Sequence, residues 1–153
     1  IVQHFKLKRN SKVLDVGCGK GFLVKDLVDI GMDAYGIDIS RYALNNAPKE
    51  ISNRLTLGSC DQLPFEDKSF DCVISINTIH NLDRDGCVKS CREIERLAPG
   101  MGFIQVDSFN NKKQKEIFES WVLTAKFYDY PSGWIKVFNE AEYTGYWYWT
   151  IME

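Results

Sequence analysis

Long apolar runs are missing from this sequence. None of its 153 residues belongs to a stretch approaching the roughly 20 that a membrane-spanning helix needs, so no membrane partner is expected. No secretory leader is expected from the first residues either. An excess of one charge is also missing: 19 Lys and Arg stand against 21 Asp and Glu, a formal charge of −2. That balance supplies no positive field for a phosphate backbone, and no nucleic-acid partner is expected. The densest basic run, Lys112, Lys113 and Lys115, reads as a solvated helix face.

Histidine is scarce. His4 and His80 are the two present, and neither has zinc-motif spacing, so no metal is expected. The cysteines, Cys18, Cys60, Cys72, Cys87 and Cys91, are odd in number and fall in or beside apolar segments. A disulfide framework is disfavoured, which points to a reducing, cytoplasmic compartment. Cys87 and Cys91, four apart on an expected helix, read as a metal-ligand pair or, more simply, as small buried residues. Repeats, low-complexity tracts and linkers are absent too, so residues 1–153 read as one domain, large enough to bury its own core.

What is present is a regular alternation of strands and helices. Lys12 to Cys18 is a β-branched-rich run ending at glycine, hence a buried strand. Gly21 to Ile30 carries Phe22, Leu23, Leu27 and Ile30 at helical spacing, with Gly31 as its stop. Further strands are expected over Asp33 to Ser40, Leu55 to Cys60, Phe70 to Ile76 and Gly102 to Phe109. Helices are expected over Arg41 to Ala47, Asp85 to Leu97, Lys112 to Phe127 and Trp134 to Tyr143, with a final strand over Tyr146 to Met152. Strands separated by helices of this length imply right-handed βαβ crossovers and an α/β fold: a Rossmann-like parallel sheet between helical layers, three layers in all.

The chemistry gathers at Gly17-Cys18-Gly19-Lys20-Gly21, where the first strand meets its helix. Glycine is needed where a strand turns sharply and a ligand approaches the backbone. A dinucleotide site has the rhythm Gly-x-Gly-x-x-Gly; here the glycines are two apart and Asp15 precedes them. Asp38 ends the second strand, where a carboxylate can accept hydrogen bonds from both hydroxyls of a ribose.

These residues resemble the first motif and the following acidic motif of class I S-adenosylmethionine-dependent methyltransferases. The resemblance extends through Gly58 to Asp71, similar to that family's adenine loop, and Cys72 to Leu82, similar to its fourth strand and next helix start. Leu97 to Gly102 resembles its Pro-Gly turn. An ordered set of this kind is far more specific than a lone glycine turn. It implies S-adenosylmethionine as cofactor, S-adenosylhomocysteine as product, and methyl transfer to a small-molecule acceptor by in-line displacement. It also implies a sheet that closes with a C-terminal antiparallel strand, here abbreviated.

Carried across residue by residue, Gly17, Gly19 and Gly21 would wall the methionine end of the cofactor, with Asp15 holding that loop or the cofactor's amino group. Asp38 would bind the ribose, Ile39 would pack on the adenine, and Cys60 would offer its backbone N–H to the ring. Ser59 stands where many relatives carry Asp; its hydroxyl or Asp61 would take the adenine amine. Ser75 and Asn77, at the end of the fourth strand, would meet the methionine amino group. His80 reads as a general base or as a helix-start packing residue. Asp107, ending the fifth strand, faces the crevice by the switch-point rule and is a candidate substrate contact, with Tyr128 and Tyr130. Three rivals remain: a nicotinamide-dependent oxidoreductase on the same fold, an enzyme using the same cofactor for another reaction such as aminopropyl transfer, and a cofactor-binding, non-catalytic subunit.

Overall fold

The computed structural model describes residues 1–151; Met152 and Glu153, part of the expected last strand, lie outside the described residues. The chain runs β1 (Lys12–Val16), α1 (Phe22–Asp29), β2 (Asp33–Asp38), α2 (Arg41–Asn45), β3 (Leu55–Leu57), β4 (Cys72–Ile76), α3 (Arg84–Leu97), β5 (Gly102–Ser108), α4 (Lys112–Trp121), α5 (Pro131–Glu140) and β6 (Tyr146–Ile151). Short 3-10 helices span Lys49–Arg54 and Ile79–Asn81.

The six strands form one sheet in the order β3-β2-β1-β4-β5-β6, and every neighbouring pair is parallel. Strand periodicity sorts the core onto its two faces. Leu14, Val16, Val73, Ile104 and Val106 point toward α3 and α5, where Ile94, Leu97, Trp134 and Phe138 meet them. Val13, Ala34, Cys72 and Ile74 point to the opposite face, onto Val24 and Leu27 of α1. Burial on both faces explains why β1 and β4 read as continuous apolar runs rather than alternating ones.

The expected antiparallel last strand is overturned. β6 runs parallel to β5, Phe103 opposite Tyr146 through Ser108 opposite Ile151. α5 is the reason: it lies between the two strands in sequence and packs Trp134, Val137 and Phe138 into the core, so the connection is a helical crossover rather than a hairpin. Phe138 stacks on Trp149 at 5.8 Å with the rings 6° apart, fixing the strand under the helix.

Helix bounds differ where side chains intervene. α4 stops at Trp121 instead of Phe127, because Val122 turns extended and Lys126 and Phe127 give their N–H groups to the His80 carbonyl. α5 begins three residues early, at Pro131, whose fixed φ suits a first helical turn. Ser40, Asp83 and Asn111 cap α2, α3 and α4 through their side-chain oxygens. β1 and β4 are neighbours in space, with chain crossing away from them on either side. The crevice beyond their carboxyl ends is therefore the topological switch point.

Candidate functional site

β1 ends in the glycine turn. Gly17, Gly19 and Gly21 all have positive φ (81°, 54° and 77°), a region side chains other than glycine rarely adopt. The turn is tied to β2 by the Gly17 and Cys18 N–H groups, which donate to the Ile37 carbonyl at 2.8 and 3.1 Å. Thr78 sits directly over Gly17, where any Cβ would collide with it, whereas nothing lies within 4 Å of a Cβ built on Gly19.

Asp38 fastens the other side of the turn. Its Oδ2 accepts from Gly19 N–H at 2.7 Å and its Oδ1 from Ser40 N–H at 2.7 Å. Each oxygen keeps a lone pair, so the carboxylate can still accept from a ligand. Asp15 lies behind the turn, 5% exposed, in register with Gly36 of β2 and Ile74 of β4. Burial, and then the nearby Asp38 charge, push its carboxyl from 3.8 up to about 7.

A cavity of about 430 Å³ opens over these elements. Gly17, Asp38 and Ile39 line it from one side, with Ser59 and Cys60 from the loop after β3 and Asn77 from the end of β4. The Ser59 hydroxyl donates to the Asp61 carboxylate rather than pointing free. Cys60 packs its sulfur 3.4 Å from Ser90 Oγ on α3. Asn77 has φ 50° and gives its N–H to the Gln105 carbonyl at 2.9 Å, a left-handed residue held at a strand end.

Other residues named from the sequence stand outside the lining. Gly21 faces Ile51 and Leu55. Ser75 is fully buried and its Oγ has no hydrogen-bond partner. His80, 6% exposed, sits on the 3-10 turn after β4 with Nδ1 3.6 Å from Asp107 Oδ2. Burial lowers the imidazole pKa and outweighs the Asp107 charge; burial also raises Asp107 against the pull of His80. Both shifts favour a neutral pair. Trp134 Nε1 donates to the Asp107 carbonyl at 3.2 Å, holding that strand end. Tyr128 and Tyr130 pack edge-on against Phe109, with centroids 6.3 and 4.7 Å away, and neither lines the cavity.

Thr78, Asn81, Leu82 and Lys126 line the cavity without having been singled out in the sequence, as do Ile37 and Ile76, each next to a residue that was. The first three flank His80, so the signal was adjacency to the end of β4. Lys126 had no local signal, because its position depends on the bond from its N–H to the His80 carbonyl.

Residues 14–104 match the model of the family described as Methyltransferase domain. The chain belongs to the class I S-adenosylmethionine-dependent methyltransferases. It is 27% identical over 93% of its length to a sterol 4-C-methyltransferase of Caenorhabditis elegans, and 33% identical over 65% to a sterol 24-C-methyltransferase of Gibberella zeae. It spans 44% and 28% of those two proteins. A TehB-like SAM-dependent methyltransferase of Corynebacterium glutamicum superposes with a TM-score of 0.57 at 25% identity, over 66% of this chain and 56% of that one.

The cofactor of this family is S-adenosylmethionine, and the residues present fit it. The open space over Gly19 leaves the backbone approachable, and the Asp38 carboxylate lies at the cavity wall beside it.

Proposed function

We propose that this chain binds S-adenosylmethionine in the crevice over β1 and β4 and transfers its methyl group to a small-molecule acceptor. The observation that carries the reading is Asp38, fixed at the cavity wall by the amides of Gly19 and Ser40. A carboxylate held this way is pre-oriented for a ribose, and the glycine rhythm beside it disfavours a dinucleotide. Ile39 and Cys60 would frame the adenine, with Ser59 and Asp61 acting as one hydrogen-bonded pair. Gly17, Gly19 and Asn77 would surround the methionine end with Asp15 behind the turn, whereas Gly21 and Ser75, outside the lining, would support the loop and the strand end.

S-adenosylmethionine supplies a methyl group already activated on a positively charged sulfur. What remains for the protein is to hold an acceptor atom in reach and to exclude water; positioning of that kind contributes ~7–11 kcal/mol in favourable systems. Positioning is therefore the dominant contribution, and His80, kept neutral by burial beside Asp107 and outside the cavity lining, is an optional base that acceptor binding would have to uncover. The five cysteines are free thiols, which supports a reducing, cytoplasmic setting.

Incubation with methyl-labelled cofactor and a panel of small acceptors, sterols included, tests the reading. Label should move to at least one of them; a loss of roughly 10²–10⁴-fold in His80→Gln with S-adenosylhomocysteine binding kept would assign His80 the base role, and unchanged transfer would leave it a packing residue. Binding without transfer to any acceptor would instead leave a cofactor-binding subunit.

A further inference from the structure

The cavity lining contains two charged side chains, Asp38 and Lys126. Asp38 has both oxygens engaged with backbone amides and makes no ion pair with the lysine. Lys126 is exposed, and among the described residues no carboxylate lies within ion-pair distance of its ammonium. Its backbone, by contrast, is fixed. Lys126 and Phe127 both donate their N–H groups to the His80 carbonyl, at 2.9 and 3.1 Å, and Phe127 packs edge-on against Trp134 at 4.9 Å. A rigidly mounted strap thus presents an unpaired cation to the cavity.

With solvent in the cavity, water satisfies that ammonium. A ligand that fills the space removes the water on the cavity side of the ammonium, and the contact made there is favourable only if the ligand offers it a partner. The contact is worse if the ligand itself carries a positive sulfur, since the two charges then repel at short range. An anion on the bound molecule, placed at Lys126, removes both penalties.

We infer that Lys126 is the carboxylate-recognising residue of this cavity. The inference rests on the proposed cofactor reading, and the carboxylate comes either from the amino-acid end of that cofactor or from the acceptor. The Lys126→Gln change leaves the backbone bonds to His80 in place, so the variant should fold, and its melting temperature checks that it does.

Calorimetric titrations with S-adenosylhomocysteine, 5′-methylthioadenosine (which lacks the amino-acid end) and succinate decide the matter. If the cofactor supplies the carboxylate, Lys126→Gln weakens S-adenosylhomocysteine about tenfold, leaves 5′-methylthioadenosine unchanged, and Lys126→Arg recovers the loss. If the acceptor supplies it, S-adenosylhomocysteine binds the variant normally. Succinate then binds the S-adenosylhomocysteine-saturated wild type but not the saturated variant. Equal loss for S-adenosylhomocysteine and 5′-methylthioadenosine, or no difference in any titration, overturns the role of Lys126. Failure of S-adenosylhomocysteine to bind the wild type overturns the cofactor reading itself, a result separate from any ratio between variant and wild type.

Discussion

Asp15 has the most consequential electrostatics among the site residues. Its folded pKa of about 7 lies above the ordinary 3.8, so between those values the native state binds more protons than the unfolded chain. The stability contributed by this group is therefore full below about pH 4 and lost as pH rises through 7. Asp15→Asn removes the slope. Urea unfolding at pH 5 and pH 8 should show the wild type losing more stability at the higher pH than the variant does; equal losses would mean Asp15 titrates normally. His80 shifts the other way, lowered by burial, so it is unprotonated at neutral pH and able to accept. The glycines and Asp38 were legible from residue type and spacing alone. Thr78 over Gly17 and Lys126 under His80 were not, because each is placed by a contact between distant parts of the chain.

At the scale of elements, the glycine turn separates two kinds of constraint. Gly17 and Gly19 share a left-handed backbone that costs an alanine about 1–2 kcal/mol. Gly17 alone also lies under Thr78, so Gly17→Ala adds an overpacking term of roughly 1–3 kcal/mol. Denaturation midpoints should place Gly17→Ala clearly below Gly19→Ala; matching midpoints would contradict the packing of Thr78 on the turn. The strand elements β1 and β4 were readable because burial on both faces leaves continuous apolar runs. The direction of β6 was not, since alternation reports that a segment is extended and says nothing about which way it runs. The end of α4 was hidden for a related reason: Trp121, Leu123 and Phe127 keep an apolar helical rhythm, yet the His80 carbonyl draws the chain out of the helix.

Across the whole molecule, parallel order sets function by position. Every strand delivers its carboxyl end to the same edge, and the crossing away from β1 and β4 opens a crevice there that the glycine turn, Asp38 and Asn77 all reach. α3 and α5 cover one face and α1 the other, so the crevice lies on a frame held from both sides. The α/β class and the site's location follow from that order. The acceptor does not, because the rest of the cavity lining comes from the turn after β4 and the segment after α4, where local pattern is weakest. Calorimetric titration of wild type and Asp38→Ala with S-adenosylhomocysteine and with NAD tests the proposed S-adenosylmethionine pocket with Asp38 at its ribose end. Saturable S-adenosylhomocysteine binding to the wild type is expected, with at least tenfold weaker binding to Asp38→Ala and no NAD binding to either. NAD binding in place of S-adenosylhomocysteine, or equal affinity of the two proteins for S-adenosylhomocysteine, would contradict it.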